Sequence, residues 1–308
     1  MNLQSRFRGC LLGLAAGDAV GTTVEFQRRG SFQPLTDMVG GGPFRLKPGE
    51  WTDDTAMALC LAASLAELGR FDAEDQMRRY CRWREEGYMS SNGRCFDIGN
   101  TVGAALRRFR ETGVAYAGST DTYSAGNGCL MRLAPVPMFF HPNREAAVAM
   151  SGASSRTTHG AAECVEASRL FGAMLHQALA GRDKSAILAG HGLAELSSPA
   201  LRAIALGEYR GKAEREIRGS GYVVESLEAA LWCFESTENF RDAILAAANL
   251  GDDADTTAAI CGQIAGAHYG EAGIPEAWLN RLARADAIRT WADRLYSNSG
   301  AAETSPAG

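Results

Sequence analysis

The chain has 308 residues, 46% of them hydrophobic, with a formal net charge of −5 and a pI near 5.6. That length can bury a substantial core, as one large domain or two small ones. The acidic balance, with no Lys/Arg run or basic stripe, argues against nucleic acid and anionic membranes as partners.

In chain order, the first element is apolar. CLLGLAAG at 10–17 follows arginines and runs straight into Asp18; it is short for a secretory core and reads as a helix, not a signal peptide. Gly13, Gly17 and Gly21 recur every fourth residue on one face of that helix. Each costs about 1 kcal/mol against Ala, which calls for a close neighbouring backbone or room for a ligand. A short strand or hairpin is expected near 31–46. From 55 to 68 a broad apolar stripe predicts a helix stopped by Gly69. Further stripes run over 72–86, 98–111, 161–180, 183–196, 223–235, 239–250, 256–269 and 275–296. Asp72 and Asn239 fit N-caps, and Gly181 and Gly270 fit stops.

Alternating β-branched runs are nearly absent, and so are internal repeats, dividing linkers and apolar runs of the ~18 residues a membrane span needs. The eight cysteines form no CxxC pair and mostly lie in apolar helical stretches, so reduced, buried thiols are expected. The reading is an all-α fold, one domain over 1–296 with a disordered tail at 297–308, soluble and cytoplasmic.

Two acidic knots stand out, WTDDTAMAL at 51–59 and NLGDDADTTAA at 249–259, each directly before an apolar helical run. A helix N-terminus wants one Ser, Thr, Asp or Asn cap and tolerates acids in its first turn. Taken singly, either knot is more often a cap than a metal site. Each offers a surplus, however, and adjacent carboxylates repel unless a cation neutralises them. Asp carboxylates mixed with Thr hydroxyls are hard oxygen ligands suited to Mg²⁺ or Mn²⁺, not to zinc. Face to face, the knots would serve two ions with shared carboxylates. The DDxxD spacing of isoprenoid synthases is absent, since Met57 and Ala58 stand four residues after Asp53 and Asp54. Five scattered histidines form no HExxH or HxH.

Seven segments in order resemble the ADP-ribosylglycohydrolase family, including the bacterial type that reactivates dinitrogenase reductase. They are RGCLLGLAAGDAVGTTVEF (8–26), WTDDTAMAL (51–59), DIGNT (97–101), AGNGCLMRLAPV (125–136), TTHGAAEC (157–164), GYVVESLEAALW (221–232) and NLGDDADTTAAICGQIAGAHYG (249–270). The resemblance implies a compact, all-helical orthogonal domain and an enzyme that binds two Mg²⁺ or Mn²⁺ ions. It implies cleavage of the bond between C1″ of ADP-ribose and an acceptor, foremost arginine on protein, by a monomer. Serine-linked or small-molecule conjugates are the alternative acceptors; a non-catalytic ADP-ribose binder and a phosphohydrolase are the alternative classes. Nitrogenase regulators and immunity proteins against ADP-ribosylating toxins share these motifs.

Carried over position by position, the metal ligands are Thr52, Asp53, Asp54, Asp253, Asp255 and Thr256. Asp252 stands where many members have Gly and is placed outside the ligand set. Glu25, in a loop, is a base or gate beside the metals; Asp54 and Asp253 are the other catalytic candidates. Asp97, Gly99 and Asn100 contact the distal ribose, although Asp97 and Asn100 also fit a helix cap. Asn127 and Gly128 lie in a turn-prone AGNG whose backbone N–H groups can cradle phosphate oxygens. His159 lines the pocket, and Tyr222 stacks on the adenine or its ribose; a packed His or aromatic is the plainer alternative for each.

Overall fold

Apolar stripes of helical period fold here into helices and almost nothing else. The structure, a computed structural model, describes residues 1–189 and 196–300. Among them are α1 (Leu3–Gly21), α2 (Asp53–Leu68), α3 (Ala73–Glu86), α4 (Asn100–Thr112), α5 (Pro135–Phe139), α6 (Arg144–Arg156) and α7 (Ala162–Leu179). The second half adds α8 (Lys184–Ile187), α9 (Pro199–Ala205), α10 (Val223–Glu235), α11 (Phe240–Ala248), α12 (Ala254–Tyr269), α13 (Glu276–Arg281) and α14 (Ala285–Asn298). No helix among the described residues is long and apolar enough to cross a membrane.

Three helices form the centre, buried on every side over long stretches: α1 from Gly9 to Gly21, α2 from Asp53 to Leu65, and α12 from Ala254 to Ala267. A helix apolar all round belongs inside a core, whereas α3, α4 and α14 bury one face only. The glycine ladder explains the central pair. α1 and α12 run antiparallel, and a Cβ on Gly13 would lie 2.3 Å from the Gly262 carbonyl oxygen; on Gly17, 2.1 Å from that of Ala258. Gly9 meets Gly266 in the same way, so the ladder spans most of the helix. Close backbone approach is therefore the reason for the spacing. Its consequence is positional: the C-terminus of α1 is clamped against the N-terminus of α12.

The expected ends hold. Asp72 accepts from the Glu74 and Asp75 amides, and Asn239 from that of Asp242. Gly69 takes the left-handed conformation at φ 65°, and Gly270 closes α12 at φ 70°.

Four expectations need correction. The strand near 31–46 shrinks to one antiparallel bridge, Gly41 with Leu46, whose amides and carbonyls exchange bonds of 2.7 and 2.8 Å. The helix expected over 183–196 is only Lys184–Ile187, and 190–195 lie outside the described residues. The stripe at 275–296 breaks in two, because Arg284 adopts φ 58° while the Ala283 amide donates to the Gly49 carbonyl and its carbonyl accepts from Trp51 Nε1. Docking the buried Trp51 thus overrides continuous helical periodicity. Helices α5, α6 and α9 carry no recognised stripe; α6 is rich in Ala and Ser and buries little besides small residues. The described chain reaches Gly300 and α14 runs to Asn298, so the tail assigned from 297 begins in helix, and its remainder from 301 lies outside the described residues.

Candidate functional site

Helix ends converge on one cavity. The N-termini of α2 and α12 meet the C-terminus of α1, and both knots are brought together with the loop that follows α1. Positive helix N-termini favour negative groups, and acids are gathered here in excess. Asp18, Glu25, Asp53, Asp54 and Asp255 are buried, with Asp97 and Asp253 partly exposed. None of the seven has an ion pair with Lys, Arg or His among the described residues. Carboxylate oxygens of Asp18, Asp54 and Asp255 lie within 4.8 Å of one another, as do those of Glu25, Asp97 and Asp255.

Both knots occupy the N-cap region, yet neither uses a side chain as a cap. Thr52 precedes α2 and Asp253 precedes α12, with no side-chain capping bond in either case. Thr52 Oγ1 instead lies 3.0 Å from Asp18 Oδ1 and 3.5 Å from both Asp54 Oδ2 and Asp255 Oδ2. A hydroxyl has one proton. Given to Asp18, it leaves the Thr52 lone pairs facing two carboxylate oxygens. Thr256 Oγ1 reaches Asp54 Oδ1 at 3.2 Å, and buried Asp255 Oδ1 has no hydrogen-bond partner. Lone pairs aimed at lone pairs in a buried pocket need a proton or a cation between them. The all-oxygen donor set fits a hard divalent ion such as Mg²⁺ or Mn²⁺.

Asp18 was not singled out in the sequence, where it only ended an apolar run. Its Oδ1 accepts from the Thr52 amide (2.9 Å) and hydroxyl (3.0 Å), and its Oδ2 from the Thr55 amide (3.1 Å) and hydroxyl (2.6 Å). A carboxylate offers about four lone-pair sites, and all are taken. Asp18 therefore braces the first turn of α2 and is not itself a free ligand. The one signal available was a charged residue on a helix otherwise built for complete burial.

Electrostatics follow from this crowding. Burial pushes the Asp18 carboxyl up to about 6 against the pull of its four hydrogen bonds. Burial, then Asp97, Asp253 and Asp18, push Glu25 up to about 9. Asp97 rises to about 7 through burial, then Asp18 and Asp253. Asp53, Asp54 and Asp255 are pushed well above the carboxylate range, by burial first and by neighbouring acids second. Burial raises Asp253 as well, against the pull of Asn127 Nδ2, which donates to its Oδ2 at 2.7 Å.

A cavity of about 620 Å³ opens on the cluster. Its walls include Glu25, Asp53, Asp97, Gly99, Asn100, Asn127, Gly128, His159, Asp253, Asp255 and Thr256, with Thr52 and Asp54 buried behind them. Neither Asp97 nor Asn100 caps α4: Gly99 holds the cap position, and Asn100 is the first helical residue. Tyr222 lies apart, in an adjoining groove with Tyr123 and Glu163, and its hydroxyl donates to Glu163 Oε2 at 2.6 Å. Two amides of the AGNG turn are used within the fold. The Gly126 amide is spent on the Ser124 carbonyl, and the Asn127 amide on that of Gly221. Asn127 instead turns its side chain back onto Asp253 and Ser226.

Three left-handed non-glycine residues frame the site: Phe26 (φ 64°), Asp97 (φ 60°) and Asp252 (φ 56°). Such strain persists only where the surroundings enforce it. Here the Phe26 amide donates to the Asp252 carbonyl and the Asp252 amide to that of Gln27, both at 2.7 Å. These bonds lock the Glu25 loop to the second knot. Asp252 is a hinge in the backbone, and its side chain is exposed.

Known proteins place this constellation. The sequence profile described as ADP-ribosylglycohydrolase matches residues 1–304. A relative from Pseudomonas putida (strain GB-1), named ADP-ribosylarginine hydrolase Tri1, is 47% identical over 96% of this chain and 78% of its own length. The ADP-ribosyl-[dinitrogen reductase] glycohydrolase of Rhodospirillum rubrum is 33% identical over 91% of each chain. A solved structure titled ADP-ribosylglycohydrolase-related protein complex superposes with a TM-score of 0.85 at 41% identity, over 96% of this chain and 99% of that one. With its motifs gathered at one acidic cavity on an all-helical fold, the chain belongs to the ADP-ribosylglycohydrolase family and is an enzyme of that type.

Proposed function

We propose that this enzyme hydrolyses the C1″ bond joining ADP-ribose to an arginine side chain of a modified protein. Two divalent cations, Mg²⁺ or Mn²⁺, would be held by Thr52, Asp53, Asp54, Asp253, Asp255 and Thr256. The observation that carries the reading is the Asp255 carboxylate, whose Oδ1 is orphaned and whose Oδ2 faces a Thr52 hydroxyl with its proton already given to Asp18. The name of the 47% identical relative supports arginine as the acceptor.

Cations bound there supply charge neutralisation and activation of water. The chain's own groups do the rest. Once cations offset the burial and the neighbouring acids that raise its pKa, Glu25, at the cavity wall, would be ionised and take the proton of the attacking water. The water oxygen bonds to C1″ as the C1″–N bond breaks through an oxocarbenium-like state, and the bonding pair leaves on the guanidine nitrogen, which takes up the proton that Glu25 received from the water. Asp97 and Asn100, at the rim, hold the ribose beside the cluster. Acids in the wall offset the cationic charge of the departing arginine.

The test is release of ADP-ribose from an arginine-modified protein with Mg²⁺ or Mn²⁺. Asp255→Asn is expected to lower kcat/KM by at least about 100-fold, the upper end of what groups behind a metal ligand are worth. No release by the wild type, or undiminished release by the variant, overturns the reading. Release only from serine-linked substrate overturns the acceptor.

A further inference from the structure

Arg132 is fully buried, and its hydrogen bonds among the described residues go to hydroxyls, not to a carboxylate. Its Nη2 donates to Thr158 Oγ1 at 2.7 Å and to Thr157 Oγ1 at 3.4 Å, while Nε and Nη1 have no partner. Its guanidinium lies over the Tyr80 ring at 4.8 Å. An unpaired cation in a core is costly, and what stands next to it is informative. Thr158 Oγ1, also fully buried, lies 2.8 Å from His159 Nδ1.

Proton counting fixes the direction of this chain. Arginine only donates, so Thr158 accepts from Arg132 and keeps its own proton to give. His159 Nδ1 is the remaining partner of that hydroxyl among the described residues. Were Nδ1 protonated, Thr158 would accept twice, and its buried proton would have no acceptor. Nδ1 is therefore the acceptor, and the ring proton sits on Nε2. Burial, then the charge of Arg132, pushes His159 down to about 3, so the ring is neutral at physiological pH.

The Nε2 edge lies beside Gly126 and Gly128, which line the cavity with it. His159 itself lines the cavity, and its ring packs against the AGNG turn. A Cβ on Gly128 would come 3.2 Å from Nε2, and one on Gly126 3.4 Å. No group among the described residues accepts from Nε2. The backbone of His159 is pinned, its amide to the Ser155 carbonyl at 2.7 Å and its carbonyl to the Ser155 hydroxyl at 2.8 Å. The ring thus has a fixed place and a fixed proton.

We propose that Arg132, acting through the Thr158 hydroxyl, fixes His159 as a neutral imidazole protonated on Nε2, which donates to an oxygen of the ADP-ribosyl group. Arg132 and Thr158 are positioning residues; His159 is the group that touches ligand. The identity of that ligand rests on the function proposed above. The fixed tautomer does not. A neutral donor suits this place, since an imidazolium would be held against both Arg132 and its own burial.

The test is long-range ¹H–¹⁵N NMR of histidine-labelled protein, with His159 assigned through a His159→Gln variant, and calorimetric titration with ADP-ribose. Wild type is expected to show His159 as Nε2–H with a bare Nδ1 at neutral pH. Thr158→Val is expected to shift the proton to Nδ1 or to a mixture, and to weaken ADP-ribose binding about tenfold. Thr158→Ser, which restores the hydroxyl, is expected to return both readouts to wild type. Nδ1–H in the wild type, or an unchanged pattern in Thr158→Val, overturns the proposal. So does unchanged ADP-ribose affinity in Thr158→Val. If the tautomer pattern holds but arginine-linked ADP-ribose is not cleaved, the proposed function falls and the positioning role stands.

Discussion

At the first knot, Thr52, Asp53 and Asp54 sit on a helix turn gripped from behind by one side chain, Asp18, through four hydrogen bonds. At the second, Asp253, Asp255 and Thr256 sit on a turn held mainly by backbone. The Asp252 amide and carbonyl are locked to the Glu25 loop, and the Asp253 amide donates to Gly219 at 2.8 Å. Among the described residues, Asn127 braces the second knot by a side chain outside the knots, and Asp54 of the first knot accepts from Thr256. Two turns of similar composition are thus fixed by different means. Side-chain bracing concentrates its effect in one residue, whereas backbone bracing spreads it over a loop.

The largest effect should come from the concentrated brace. In Asp18→Asn, one carboxylate oxygen becomes an amide donor facing donors on Thr52 or Thr55. The Thr52 hydroxyl then loses its fixed proton direction. Second-sphere partners of this kind are worth about 10–100-fold in metal affinity or activity. Mn²⁺ binding followed by electron paramagnetic resonance, together with ADP-ribose release, should both drop in that range. Unaltered Mn²⁺ affinity would show that the turn holds its shape without Asp18, and the contrast between the knots would collapse.

The cluster as a whole should report on pH. With divalent ions removed, the raised carboxylates bind protons in the folded state that the unfolded chain has released. The stabilisation from those protons is fully present below the unfolded carboxylate pKa of about 4. It is lost as pH rises through about 6 for Asp18, 7 for Asp97 and 9 for Glu25. Melting of the EDTA-treated protein should therefore fall between pH 5 and pH 9, by about 2 °C for each kcal/mol lost in a chain of this size. Mg²⁺ or Mn²⁺ should restore Tm most at the alkaline end. A flat or rising Tm in EDTA would mean that the acids are not crowded as described.

How much of this was legible beforehand differs between the two braces. Helical periodicity and capping chemistry are local, so α2, α3, α7, α10, α11 and α12 stood out near their true bounds. The ladder of Gly13, Gly17 and Gly21 was legible because its spacing demands a close neighbour, though not which one. Asp18 was missed because its partners lie 34 and 37 residues away and nothing local marks them. Arg132 was missed for the same reason: a buried arginine reads like any other until its missing carboxylate is seen in three dimensions. That the Gly126 and Asn127 amides are taken within the fold was not legible, because turn propensity says nothing about which N–H groups find partners. The break at Arg284 follows from docking Trp51, a tertiary demand that outweighs an unbroken stripe.

The smallest effect should come from Asp252, the extra acid of the second knot. Its side chain is exposed, and its backbone is held at φ 56° by the bonds to Phe26 and Gln27. What the position requires is a left-handed turn, which glycine adopts without the Cβ penalty of roughly 1–2 kcal/mol. Against this, glycine gives the unfolded chain more freedom to lose. Asp252→Gly should therefore change stability by less than about 1 kcal/mol and leave Mn²⁺ affinity and ADP-ribose release near wild type. Asp252→Val keeps a Cβ and adds branching, which suits the left-handed region poorly. It should loosen the Glu25 loop and lower kcat more than the loss of the charge does. If Asp252→Gly instead weakened metal binding as much as Asp18→Asn, the second knot would depend on a side chain after all, and the two would be braced alike.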